Sequence, residues 1–176
     1  MAWITLKSDT IIENEYVAIK KNKVRLEDES VIEDFYTVTI PDASLIVAVT
    51  CDNKIVLKKE YRYACGEDVI ECPAGMIESG EHPYEAAERE LLEETGYKSN
   101  DWKYLGFTWE STSKLTNKMH LFFAKNCVKV SEQNLDKNEH IELMCVDMTE
   151  AVQMIMDGRI NANSSAHAIL KVEKMM

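Results

Sequence analysis

The fold is decided by the segment from Gly75 to Tyr97, which reads GMIESGEHPYEAAERELLEETGY. After Pro83, small or apolar residues recur every three or four positions, as on one face of a helix: Tyr84, Ala87, Leu91 and Thr95. Pro83 suits a first helical turn, where its missing N–H costs nothing, and Gly96 suits the C-terminal cap. The spacing therefore predicts a helix over 83–95 that follows a loop.

The same helix carries carboxylates about one turn apart. Glu90 and Glu94 share a flank of the helix, and Glu93 is near enough to share a ligand with them. Like charges at this spacing repel by roughly 0.2–0.5 kcal/mol per exposed pair, and Arg89 relieves part of this through Glu93. A divalent cation would relieve more, because hard oxygen ligands suit Mg²⁺ and Mn²⁺. A solvated acidic face is the alternative for such a helix taken alone.

The segment as a whole resembles the Nudix box, Gly-x5-Glu-x7-Arg-Glu-U-x-Glu-Glu-x-Gly-U, in which U is a bulky apolar residue. The agreement covers every specified position, with the last one only loosely apolar: Gly75, Glu81, Arg89, Glu90, Leu91, Glu93, Glu94, Gly96 and Tyr97. The resemblance implies an α/β (α+β) Nudix fold, with a mixed β-sheet between helices and an N-terminal β-rich extension. It also implies hydrolysis of a pyrophosphate bond with Mg²⁺ or Mn²⁺ as cofactor.

The resemblance assigns roles to the residues of this segment. The metal ligands would be the Ala74 carbonyl, Glu90, Glu93 and Glu94. Glu81 would support Arg89 in orienting Glu90 and Glu93, a role that fixes the geometry of the ligands. Catalysis would rest on Glu93, Arg89 and Glu139, the last a loop carboxylate that binds metal or activates water. A plain exposed loop residue is the alternative for Glu139.

Outside the box, the chain is similar to the ADP-ribose pyrophosphatase and nucleoside diphosphate sugar hydrolase branch of the family. The similarity lies in the triplet Glu60-Tyr61-Arg62 and in the stretch IECPAGMIE at 70–78. It implies substrate-binding roles for Arg62, Glu71 and Gly75. A guanidinium offers a fixed fork of donors, so Arg62 would reach a phosphate or the base. An exposed arginine at a strand end is the alternative.

Two departures from that branch leave the chemistry open. Lys137 stands where many relatives have an acid, so the general base is either Glu139 or Glu110. The loop from Glu110 to Asn117 lacks the proline turn of relatives specific for ADP-ribose. This departure weakens ADP-ribose as the specific substrate, and the resemblance then implies a nucleoside diphosphate sugar of the ADP-ribose, GDP-mannose or ADP-glucose type. A hydrolase of nucleoside triphosphates or dinucleoside polyphosphates and a non-catalytic nucleotide-sugar sensor are the alternatives.

The remaining sequence predicts the rest of the fold. Alternating or β-branched runs predict strands at 16–20, 31–40, 44–50, 55–63, 102–108, 119–125 and 141–146, with a short run at 69–72. Two helices are expected at 149–157 and 164–174. By the resemblance, residues 1–40 would be strands that pair with a second subunit and line its site, and 41–176 would form the Nudix domain. The protein is thus expected to be a homodimer.

Composition limits the partners. The chain has 176 residues and a formal net charge of −11, which argues against nonspecific nucleic-acid binding. No apolar run approaches the roughly 20 residues of a membrane-spanning helix, and no membrane partner is expected. The five cysteines include no CxxC pair, which disfavours zinc and predicts free thiols in a reducing cytoplasm. A cytoplasmic protein is the resulting expectation, and the resemblance implies that its partner is a small-molecule substrate.

Overall fold

A computed structural model describes residues 2–176. Its strands are β1 (Ile4–Glu13), β2 (Ala18–Arg25), β3 (Val31–Thr39), β4 (Ala43–Thr50), β5 (Lys54–Arg62), β6 (Glu67–Glu71), β7 (Ala74–Met76), β8 (Tyr97–Lys98), β9 (Asp101–Trp109), β10 (Lys118–Lys129) and β11 (Ile141–Asp147). Its helices are α1 (Pro83–Thr95), α2 (Met148–Met156) and α3 (Asn163–Glu173). None of these three helices, within the described residues, is long and apolar enough to cross a bilayer.

The first compact unit contains the residues through Asp42 together with Trp109–Lys118. Strands β1, β2 and β3 form an antiparallel sheet in that order. The segment 109–118 joins them because Val38 N–H donates to the Lys114 carbonyl at 2.8 Å and Thr116 N–H donates to the Val38 carbonyl at 3.1 Å. The sequence analysis had assigned this segment to the Nudix domain.

The strand bounds in this unit were predicted only in part. Strands were expected somewhere within 1–40, but no bounds were predicted for β1, which is ten residues long. All ten residues are exposed, so the strand has no buried face to impose an alternating pattern. The strand predicted at 16–20 begins instead at Ala18 and extends to Arg25, after a turn in which the Asn14 side chain accepts the N–H groups of Tyr16 and Val17.

The second compact unit contains Ala43–Thr108 and Met119–Met176 and is built on a mixed sheet. The main path runs β11-β5-β4-β10-β8, with β6 beside β5, β7 beside β4 and β9 beside β10. Strands β4 and β10 are parallel, with Leu45 opposite Leu121, whereas β5 runs antiparallel to both β4 and β11. This arrangement makes β4 and β5 buried central strands.

Both faces of this sheet are covered by helices, as predicted. Alternate residues of β4 point to opposite faces, because side chains in a strand alternate. Leu45 and Val47 pack in one apolar cluster with Met154 of α2 and Ile169 of α3. Ile46 belongs to a second cluster, which also contains Ala87 and Leu91 of α1. The sheet between helices and the helix periodicity of the central segment are therefore confirmed.

The ends of α1 follow from local sequence. The His82 side chain accepts the Tyr84 N–H at 3.2 Å and Glu85 accepts the His82 N–H at 2.9 Å, which forms a capping box. Gly96 ends the helix with φ 74°, a left-handed conformation that glycine adopts at little cost. These caps fix where α1 begins and ends, and thereby the turn of the helix on which each carboxylate lies.

Candidate active site

A pocket of about 400 Å³ lies in the second unit where β5, β7, α1 and the loop before β11 meet. It is lined by Lys58, Arg62, Ala74, Gly75, Met76, Glu78, Arg89, Glu90, Glu93, Glu94, Asn134, Asp136 and Glu139. Most residues singled out in the sequence therefore come together here. Glu71 and Glu81 contact the pocket's arginines, whereas Glu110 belongs to the other compact unit.

Arg89 organises the carboxylates at the mouth of the pocket. Its Nε and Nη2 donate to the two oxygens of Glu81 at 2.9 and 3.0 Å, and Nη1 donates to Glu90 at 2.6 Å and to Glu93 at 3.2 Å. Nη2 also donates to the Met76 carbonyl at 3.0 Å, which ties the helix to β7. We call Glu81, Arg89, Glu90 and Glu93 the outer cluster. The hydrogen bond from Arg89 lowers the pKa of Glu81.

A second cluster lies at the floor of the pocket, and the sequence analysis missed Lys58 and Glu60 as members of it. Lys58 on β5 is almost fully buried and donates to Glu94. Its Nζ also lies 3.3 Å from Glu60 and 3.9 Å from Glu71. Arg62 completes the group. We call Lys58, Glu60, Arg62, Glu71 and Glu94 the inner cluster.

Arg62 is held at the pocket by the carboxylates of this inner cluster. Its Nε donates to Glu71 at 2.9 Å, its Nη2 donates to the same oxygen, and Nη1 lies 3.2 Å from Glu60. Burial is the largest influence and acts to lower the pKa of Arg62, but the charge and hydrogen bond of Glu71, together with the charges of Glu60 and Glu94, outweigh it, and the net effect is a raised pKa. The guanidinium thus stays charged and faces the pocket with its side chain 39% exposed.

Glu94 is the most buried carboxylate of the site, with 3% of its surface exposed. One oxygen accepts from Lys58, and the other accepts the Ala74 N–H at 3.0 Å. Burial raises the pKa of Glu94 to about 7, although Lys58 and the Ala74 N–H both act to lower it. Burial also raises the pKa of Glu90. Burial therefore makes both groups costly to ionise even with Lys58 and Arg89 beside them.

Gly75 allows the backbone of β7 to approach the helix carboxylates. A Cβ atom at this position would lie 2.0 Å from Cδ of Glu90, which is far inside van der Waals contact. Strand pairing leaves little freedom to move away, because Gly75 lies opposite Ser44 of β4. The glycine is therefore required by the space that Glu90 occupies.

The loop before β11 brings a carboxylate pair to the pocket. Glu139 accepts the Asp136 N–H at 3.0 Å, and its own N–H donates to the Asp136 carbonyl at 2.9 Å. Lys137 between them is exposed. Asp136, Asn134 and Glu78, to which the sequence analysis assigned no role, also line the pocket. Glu78 ends the stretch at 70–78 and Asp136 begins the acidic loop that resembles the ADP-ribose pyrophosphatase branch, whereas nothing in the local sequence distinguished Asn134.

The donor set of this pocket fits a hard divalent cation. Six carboxylates line it against three cationic side chains, so an excess of negative oxygen faces the cavity. Within residues 2–176, however, no three His, Cys, Asp or Glu side chains converge as a ready-made metal cage. The reason is visible in the two clusters: Glu90 and Glu93 are turned toward Arg89, and Glu94 is turned toward Lys58.

Comparison with known proteins agrees with the fold and the pocket. The model of the NUDIX domain matches residues 40–167, which is most of the chain. The chain therefore belongs to the Nudix family and is a Nudix pyrophosphohydrolase of the ADP-ribose pyrophosphatase branch. Among solved structures, an ADP compounds hydrolase has a similar fold, with a TM-score of 0.85, 21% identity and coverage of 99% of this chain and 94% of that one.

Two curated relatives show where the similarity lies. The methanol dehydrogenase activator of Bacillus methanolicus is 31% identical over 94% of this chain and 89% of its own length. The ADP-ribose pyrophosphatase of Bacillus subtilis is 32% identical over 73% of this chain and 70% of its own length. The family match and the second of these relatives support the hydrolysis of nucleoside diphosphate derivatives as the class of reaction.

Proposed function

We propose that the protein hydrolyses the pyrophosphate bond of a nucleoside diphosphate sugar to a nucleoside monophosphate and a sugar phosphate, with Mg²⁺ or Mn²⁺. The observation that supports this most is the pocket in which Arg62 faces the helix carboxylates across a cavity of about 400 Å³. A pyrophosphate needs both features, because its charge must be matched by cations on several sides. Candidate substrates are ADP-ribose, ADP-glucose and GDP-mannose.

The oxygens that would hold the metal are those of Glu90, Glu93, Glu94 and the Ala74 carbonyl. All four residues line the one pocket, and Arg89 and Glu81 fix the orientation of Glu90 and Glu93. When bound, divalent cations would neutralise the pyrophosphate oxygens and lower the pKa of the attacking water. Ligation by Glu94 requires its ionised form, which its burial disfavours until a cation arrives.

The remaining residues act on the substrate and on the proton. Arg62 binds a phosphate or the base, and Glu71 acts through it by holding the guanidinium in place. Gly75 leaves room for the substrate beside Glu90. Glu139 is the general base: it takes a proton from the water whose oxygen forms the new bond to phosphorus. The anhydride P–O bond breaks, and its electron pair leaves with the departing phosphate oxygen.

The N-terminal strands would join two copies of the chain. β1 exposes several large apolar side chains, including Ile4 (50% exposed), Ile11 (55%) and Ile12 (48%). Exposed apolar surface concentrated on one strand is typical of an interaction site in soluble proteins. The expected partner is a second copy of the same strands. Replacement of Ile4 and Ile11 by Asp should convert the dimer to a monomer in analytical ultracentrifugation.

A panel of substrates read by product mass tests the reaction. Nucleoside diphosphate sugars should give a nucleoside monophosphate and a sugar phosphate in the presence of Mg²⁺ or Mn²⁺. Release of inorganic phosphate or pyrophosphate from ATP or a dinucleoside polyphosphate, without cleavage of the sugars, would contradict the proposal. Binding of nucleotide sugars without turnover would point to a sensor.

A pair of substitutions on α1 tests the site. Glu94→Gln removes a direct metal ligand and should lower turnover by roughly two or more decades. Glu88→Gln is the matched control, because Glu88 is exposed on the same helix and only accepts from Tyr84. Both proteins should fold. Equal activity of the two variants would show that the site is misassigned.

A further inference from the structure

The buried lysine of the inner cluster has no role in the proposed reaction so far. Lys58 lies in the central strand β5, has 1% of its side chain exposed, and would be costly to bury without a partner. Its partner is Glu94, which is one of the carboxylates proposed to bind metal. A metal at Glu94 and an ammonium on the same carboxylate compete, since both need its negative charge.

The structure provides a second place for the ammonium. Nζ of Lys58 lies 3.3 Å from Oε2 of Glu60, and this oxygen is buried and accepts no hydrogen bond, although Nη1 of Arg62 lies 3.2 Å from it. Such an acceptor is uncommon in a protein interior, because buried polar atoms are nearly always paired. Glu71 is less suitable, since it lies 3.9 Å away and already accepts twice from Arg62.

We propose that Lys58 sets the metal affinity of the site by pairing with Glu94 in the metal-free protein and moving to Glu60 when a divalent cation takes Glu94. This inference rests on the proposed function, because it assumes that Glu94 is a metal ligand. Lys58 is then a positioning residue. It neutralises the buried carboxylate of Glu94 in the absence of metal and thereby weakens the binding of metal. Glu60 restores part of the metal affinity, because it accepts the displaced ammonium.

The proposal predicts effects of opposite sign for two substitutions. Lys58→Met removes the competing ammonium and should tighten Mn²⁺ binding by about tenfold or more. Glu60→Gln removes the second partner and should weaken Mn²⁺ binding by roughly five- to tenfold. In the Lys58→Met background, Glu60→Gln should change the affinity little, because no ammonium has to move.

The experiment is a Mn²⁺ titration of the full chain without substrate, followed by electron paramagnetic resonance of free Mn²⁺. The variants are Lys58→Met, Glu60→Gln, their double mutant and Glu94→Gln. Lys59→Met is the control, because Lys59 pairs with Asp68 outside the pocket. A merely structural role for Lys58 would weaken metal binding, so tightening is the result that only competition gives.

The outcomes separate an error in the metal site from an error in the role of Lys58. If Glu94→Gln binds Mn²⁺ as the parent does, the metal site itself is misassigned. If Glu94→Gln weakens binding but Lys58→Met leaves it unchanged or weaker, only the role of Lys58 is overturned. Should Lys58→Met fail to fold, Glu60→Gln decides alone: weaker binding supports the proposal, and unchanged binding overturns it.

Discussion

The outer and inner clusters use the same chemistry in different surroundings. In the outer cluster, Arg89 is 26% exposed and shares its donors among three carboxylates of one continuous segment. In the inner cluster, the side chains of Lys58 and Glu94 are 1% and 4% exposed, and the two residues lie 36 positions apart in the sequence, on different elements. Water can replace a lost partner at the mouth of the pocket, but it cannot do so at the floor. The outer cluster should therefore govern geometry and the inner cluster stability.

The largest expected effect separates the two clusters by their contribution to stability. Lys58→Ala leaves Glu94 buried without its cation and should lower the free energy of unfolding by about 3–5 kcal/mol. Arg89→Ala removes hydrogen bonds that water partly replaces and should cost about 1–2 kcal/mol. Urea unfolding without metal measures both values.

A double substitution controls for lost packing at Lys58. Lys58→Met with Glu94→Gln removes both charges and should recover most of the stability lost in Lys58→Ala, because a neutral pair needs no counter-ion. A greater loss for Arg89→Ala than for Lys58→Ala would reverse the proposed division between the clusters.

A smaller effect on stability, with a large one on turnover, is expected at Gly75. In Gly75→Ala the new methyl group displaces Glu90, whose Cδ would otherwise lie 2.0 Å away. Misplacement of about 1 Å at a reacting centre costs roughly a hundredfold in rate, and overpacking costs about 1–3 kcal/mol. Steady-state kinetics and urea unfolding measure the two.

The double variant Gly75→Ala with Glu90→Ala tests the cause. It makes room for the methyl group and should regain stability while it remains inactive. Stability that stays low in the double variant would place the clash elsewhere than at Glu90.

The difference between the clusters also explains what the sequence could reveal. The outer cluster lies within one contiguous motif, so spacing along a helix was enough to predict that Arg89 faces Glu93. The inner cluster depends on β5 lying beneath α1, which no local pattern specifies, and Lys58 follows three apolar residues that indicate only a buried strand. A lysine directly after such an apolar run was the one signal in the sequence that could have indicated a buried charge. The bounds of β1 could not be predicted for a different reason, since this strand has no buried face within its unit.

The smallest effect concerns the thiols, which report on how tightly the floor of the pocket is closed. Cys72 directly follows Glu71 of the inner cluster, and its N–H donates to Ser165 at 3.0 Å. Burial raises the pKa of Cys72 and of Cys127 to about 12, so neither forms much thiolate at pH 8, whereas Cys51, Cys65 and Cys145 are exposed.

Alkylation of the native protein, followed by peptide mass spectrometry, should therefore label the three exposed thiols first. Lys58→Ala should speed labelling of Cys72 more than that of Cys127, because it loosens only the part of the sheet that carries the inner cluster. Arg89→Ala should change neither rate. If Cys72 in the parent protein reacts as quickly as Cys51, the floor of the pocket opens readily and the contrast between a closed inner and an open outer cluster is wrong.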